Sequence, residues 1–130
     1  MFAFQPPPTE AAAEAVEPGY WETTSRVMGV PRTERRCIRA DQVAQFMQGP
    51  HNHNYVCTYP VRVVTNGAIR LEGSCKSHHS APVPVSGHGT FTATTFHMEA
   101  RVVTHVAGVD IPVHATTEAR RISDDCPPGS

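Results

Sequence analysis

The sequence predicts an all-β fold: an antiparallel meander of about six strands, curved or partly closed into a barrel, with one short helix packed across an end. Three observations lead there. Thr- and Val-rich runs alternate apolar with polar residues, as where Phe96, Met98, Ala100 and Val102 interleave with His97, Glu99 and Arg101. Gly and Pro break these runs at short intervals, as hairpin turns do. The 4 cysteines are even in number and show no CxxC spacing, which fits two structural disulfides better than a zinc site.

The elements follow in order. Gly19 to Met28 and Pro31 to Ile38 flank Gly29-Val30, where a Gly at the first central position suits a type II′ hairpin. The only helix lies in Ala40 to Pro50: Asp41 can cap it, Val43, Phe46 and Met47 share a face, and Gly49-Pro50 stops it. So short a helix must lean on the sheet. His53 to Thr65 and Ala68 to Lys76 surround Asn66-Gly67, the strongest short hairpin signal in the chain. Ser77 to Gly89 reads as a Pro/Gly loop, and Phe91 to Val106 with Ile111 to Ile122 form the last hairpin around Gly108-Val109. One face of the sheet is apolar and the other solvated.

Register bears on the cysteines. A plain two-residue turn at Asn66-Gly67 would point Val61 and Val63 away from the face of Ile69 and Leu71. A three-residue loop, Thr65-Asn66-Gly67, instead pairs Val63 with Ile69, Val61 with Leu71, Tyr59 with Gly73 and Cys57 with Cys75. Directly opposite residues are close enough for a disulfide where the pair is not hydrogen-bonded. Cys57–Cys75 is favoured on that ground, leaving Cys37–Cys126. The rival, Cys37–Cys57 with Cys75–Cys126, stays open because a meander gathers all four near one end.

Length and charge bound the rest. The chain of 130 residues suits one domain with a modest core. Its net charge of -1 gives no basic excess to drive nucleic-acid or anionic-membrane binding. No stretch approaches the roughly 20 apolar residues of a membrane span. Residues 1–17, rich in Pro, Ala and Glu, have little to bury and are expected to be a disordered arm; 18–126 is the β domain and 127–130 a tail. The start also lacks the charged and apolar regions of a signal peptide, as in a chain whose secretion signal has been removed.

The segment Glu17 to Arg26 (EPGYWETTSR), a first cysteine before a short helix, Tyr55-Val56-Cys57, a hairpin to Gly73-Ser74-Cys75, a Gly/Thr-rich strand and the terminal Ala119 to Cys126 (ARRISDDC) come in a definite order. That ordered set resembles the domain-of-unknown-function 3617 family over about residues 17–126. The resemblance implies a secreted or periplasmic bacterial protein with no assigned activity. Against that family the chain is rich in His, with 8, and poor in Met, with 4.

Two groups of side chains are candidate sites. In the register above His53 lies opposite His79, with His51 on the same face, and three imidazoles at a strand end could hold Zn(II) or Cu(II). His78 and His88, in the adjoining loop, could complete that set, but no acidic partner stands beside them as metal-bound His usually requires. Exposed loop residues are the plainer reading. The second group, His97, Glu99, His105, His114 and Glu118, is expected on the solvent face of the last hairpin, with Glu99 opposite Glu118 and Arg101 and Arg120 relieving the repulsion. It reads as a salt-bridged surface before it reads as a metal site.

Tyr20 and Trp21 read first as rim and core, and otherwise as aromatic contacts for a ligand. No Gly-x-Ser-x-Gly elbow or phosphate loop is present, and an open sheet face gives a carboxylate pair no sheltered cleft for acid/base work. The leading expectation is a non-enzymatic envelope protein that binds a small ligand or another protein through Tyr20, Trp21 and the apolar face, with no cofactor. Periplasmic copper or zinc binding through His51, His53 and His79 comes second and a hydrolytic enzyme third.

Overall fold

The computed structural model describes residues 15–47, 56–77 and 81–129. Its strands are β1 (Gly19–Val27), β2 (Val30–Ile38), β3 (Val56–Thr65), β4 (Ala68–Lys76), β5 (Val83–Phe91), β6 (Thr95–Val106) and β7 (Val109–Ser123). They form one 7-stranded sheet in the order β2-β1-β7-β6-β5-β4-β3, with every pair antiparallel. The strands from β3 to β7 run as a meander, and the first hairpin joins its end through β1 and β7. The sheet is open, with β2 and β3 as its edges.

The strand beyond the expected set is β5, which occupies the second half of the segment read as a Pro/Gly loop. Its burial alternates without a break: Val83, Val85, Gly87, Gly89 and Phe91 face inward and Pro84, Ser86, His88 and Thr90 outward. Two inward positions are glycine, so hydrophobic periodicity vanishes in mid-strand. At Gly89 the missing side chain is required, because a Cβ would collide with the His97 carbonyl on β6. Pro84 is tolerated because β5 pairs there with β4 alone; β6 joins from Val85 onward.

The three two-residue hairpin turns share one conformation. Met28-Gly29, Asn66-Gly67 and Ala107-Gly108 have φ of 52° and 82°, 51° and 76°, and 51° and 80°. Two successive positive-φ residues make a type I′ turn, whose twist matches the strands. The turns expected at Gly29-Val30 and Gly108-Val109 therefore sit one residue earlier, which lets Val27 face Val30 and Val106 face Val109. Met28 is 71% exposed and accepts a left-handed backbone for that pairing. Met28→Asn should raise stability by about 0.5–1 kcal/mol, since Asn tolerates this conformation and little packing is lost. A urea midpoint that falls would contradict the assignment.

In the β3–β4 hairpin Asn66-Gly67 is the plain two-residue turn that the hydrophobic pattern argues against. Val64, not Val63, faces Ile69, and Arg62 faces Leu71. A bulge between Thr58 and Val61 then adds one residue around Tyr59-Pro60, where proline has no N–H for the ladder. The bulge restores the expected register beyond it, and Cys57 faces Cys75. The disulfides are Cys57–Cys75 and Cys37–Cys126, which account for all 4 cysteines.

The helix is reduced to a 3-10 turn at Ala40–Gln42 and α1 (Val43–Phe46). Its start is capped by Gln42 Oε1, which accepts from the Arg39 N–H at 2.9 Å, and Asp41 lies within the first turn instead of capping it. Four helical residues have no stability of their own; packing holds them. The Phe46 ring sits 5.3 Å from Trp21 and 5.3 Å from Phe96, centroid to centroid, and Met47 is buried beside it. Ile38, Ile69, Leu71, Phe91, Met98 and Ala119 complete this cluster from the sheet. Val16 joins it and the Glu17 N–H donates to the Ala93 carbonyl, so the packed chain begins ahead of Pro18.

The outward face is polar and cross-linked along its rows. Glu22 on β1 accepts from Arg35 Nε on β2 at 2.9 Å and from Arg120 Nε on β7 at 3.2 Å. The Arg35 hydrogen bond first, and then that from Arg120, holds the Glu22 carboxyl below its ordinary value of 4.5. A depressed folded-state value means that its stabilising contribution is present above the unfolded value and lost as pH falls through the folded one. Carboxyl NMR should show Glu22 titrating below the ordinary glutamate range in the parent, and moving up toward it in Arg35→Gln. An unchanged Glu22 titration in that variant would contradict the pairing.

Candidate functional site

With Phe46 and Met47 packed over Trp21 and Phe96 on the inward face, convergent polar groups gather on the outward side of β5, β6 and β7. Alternation puts His88 outward on β5, His97, Glu99 and Arg101 on β6, and His114, Thr116 and Glu118 on β7. Register then fixes neighbours: His88 and Thr116 flank Glu99, Thr90 and Glu118 flank His97, and Ser86 and His114 flank Arg101.

Contacts follow from that grid. His88 Nε2 lies 3.0 Å from Glu99 Oε2, His97 Nε2 lies 3.8 Å from Glu99 Oε1, and His97 Nδ1 lies 3.4 Å from Glu118 Oε1. The Glu99 carboxylate therefore stands between two imidazoles, one of which is backed by a second carboxylate. Beside them is an open hollow of about 370 Å³ lined by Ser86, His88, Glu99, Arg101, His114 and Thr116, with Ala100 and Ala115 at its floor. The His88 side chain is 72% exposed and that of Glu99 51%, so these pairs add little to stability. The hollow offers a guanidinium, a carboxylate, two imidazoles and two hydroxyls on a rigid sheet.

The ordered cysteines, the Pro-Gly-Tyr-Trp-Glu opening and the Arg-rich final strand all lie within residues 16–126, over which the family model for proteins of unknown function DUF3617 matches. The chain belongs to the DUF3617 family. No curated protein and no solved structure matches it.

The structure places this DUF3617 protein's expected site residues unevenly. Trp21 is 0% exposed, donates Nε1–H to the Glu17 carbonyl at 2.9 Å and lies under Phe46; Tyr20, on the opposite face of β1, is partly buried. His51, His53, His78 and His79 lie outside the described residues, as do residues 1–14 of the expected arm. Cys57 and Cys75 themselves are paired and bonded.

Of the second group, His97, Glu99, His114 and Glu118 share the outward face. Glu99 does not oppose Glu118: moving the turn to Ala107-Gly108 shifts every opposite pair by two, so Glu99 meets Thr116 and His97 meets Glu118. The expected like-charge pair is absent, His97 Nδ1 stands beside Glu118 in its place, and Arg120 pairs with Glu22. His88, expected in the loop between β4 and the last hairpin, stands on β5 and belongs here. The signal for it was present in Val83, Val85 and Phe91 at even spacing, with Gly87 and Gly89 on the same phase. Among the described residues no helix is long and apolar enough to cross a membrane, and no group of three or more His, Cys, Asp or Glu side chains is placed to hold a metal ion.

Proposed function

We propose that this DUF3617 protein is a non-enzymatic, disulfide-stabilised binding protein of the periplasm or the secreted fraction, and that its small polar ligand sits on the outward face of β5–β7. The hollow around Glu99, Arg101, His88 and His114 carries the reading. It gathers convergent polar groups on a rigid scaffold, whereas Phe46 and Met47 fill the apolar face above Trp21. The two disulfides favour an oxidising compartment.

Opposite charges on Arg101 and Glu99 suit a ligand with separated negative and positive groups. Glycine is therefore the first probe. Added to labelled protein, it should shift the backbone amides of Ser86, His88, Glu99, Arg101, His114 and Thr116, and Arg101→Ala should abolish the shifts. Shifts confined to residues around Trp21, Phe46 and Phe96 would return the site to the apolar face. A second reading, copper or zinc held by His51, His53 and His79, draws on the Cys57–Cys75 register and is separated from the first by the titration described next.

A further inference from the structure

We propose that Glu99, His88 and His97 form a site for one divalent transition-metal ion, Zn(II) or Cu(II), on the outward face of the sheet. The proposal rests on the reading of this face as the binding face and names a ligand class for it. Imidazole and carboxylate donors suit both ions.

The topology supplies the convergence. His97 and Glu99 are two residues apart on one strand and share a face; His88 is directly opposite Glu99 on the next. Directly opposite Cβ atoms are about 4.5–5.5 Å apart, a gap that an ion bonded at roughly 2.0–2.2 Å to each side chain can bridge. The two Glu99 oxygens already reach one ring nitrogen each, at 3.0 Å for His88 and 3.8 Å for His97. Neighbouring ligands on one tetrahedral ion stand roughly 3.3 Å apart.

Glu118 supports His97 from behind. At 3.4 Å from His97 Nδ1 it is the carboxylate that a metal-bound imidazole usually has behind it, and it leaves Nε2 facing Glu99. The donors do not yet meet at one point. The His88 and His97 side chains are 72% and 41% exposed, so rotation about their side-chain bonds brings them onto the ion, which replaces the His88–Glu99 contact. His114, on the rim of the same hollow, is the nearest further imidazole, and Arg101 beside it is the group that opposes a cation.

The test is titration calorimetry of the full chain without a His tag, with zinc chloride and in parallel with copper chloride. About one equivalent should bind at this face. His88→Ala and Glu99→Gln should each weaken it at least tenfold, and Glu118→Gln, which removes only the partner of His97, by about tenfold. His53→Ala should leave this binding unchanged, and tryptophan emission should confirm that every variant is folded. In ring-nitrogen NMR the resonances of His88 and His97 should move together. Metal affinity that survives His88→Ala and Glu99→Gln but falls in His53→Ala would assign the ion to the loop histidines and overturn this site, as would no binding by the parent. Glycine shifts that persist in either case would leave the outward face as the binding face; absence of both responses would overturn that reading as well.

Discussion

Removing the Cys37–Cys126 bridge as C37A/C126A is expected to lower the free energy of unfolding by about 4–5 kcal/mol, the larger of the two disulfide effects. The bridge joins residues 89 apart in sequence, against 18 for Cys57–Cys75. Loop-closure entropy grows with that length, so C57A/C75A should cost about 3 kcal/mol. Position adds to the difference. Cys37 lies near the end of β2, an edge strand paired on one side only, and Cys126 follows β7, so the bridge fastens that edge across β1. Urea unfolding of the two double variants measures the ordering, and a larger loss from C57A/C75A would contradict it.

Phe46→Ala should cost about 3–5 kcal/mol, the range for deleting a buried aromatic. The loss falls on a four-residue helix too short to be stable without packing. Phe46 touches both Trp21 and Phe96, and its removal takes the lid from the apolar face. Trp21 is the only tryptophan, so its emission reports directly: the variant should shift to the red and quench more readily with acrylamide. Unchanged emission together with unchanged stability would mean that the helix does not seal this face.

Much of the architecture was legible because antiparallel sheets write one face in apolar residues at period two. Phe96 and Met98 on β6 and Ile69 and Leu71 on β4 carry that pattern plainly. β5 was not legible, because its inward positions include Gly87 and Gly89, which carry no apolar side chain, and at Gly89 the close approach of the β6 backbone leaves no room for one. The turns were misplaced by one residue at Gly29 and Gly108 because Met28 and Ala107 adopt a conformation that their side chains disfavour. That strain is offset by cross-strand valine pairs which only the assembled hairpin contains.

The candidate site inherited both errors. Reading Ser77 to Gly89 as a loop took His88 away from Glu99, and the shifted last turn set Glu99 against Glu118. A disulfide pairing could still be reached by an incorrect route, because the Tyr59-Pro60 bulge compensates at Cys57 for the register taken at Asn66-Gly67. Faces survive an error of two in register; neighbours do not. A functional site depends on neighbours.

The central claim is that β5 is a strand that brings His88 against Glu99 on the outward face, and proton NMR tests it most directly. A nuclear Overhauser spectrum of the labelled protein should show the His88 ring protons next to the Glu99 side chain, together with backbone contacts between β5 and β6 in the register Gly87 with Ala100 and Gly89 with Met98. A His88 ring that contacts only its sequence neighbours, with no cross-strand contacts from Val85 to Phe91, would dissolve the site and contradict the account.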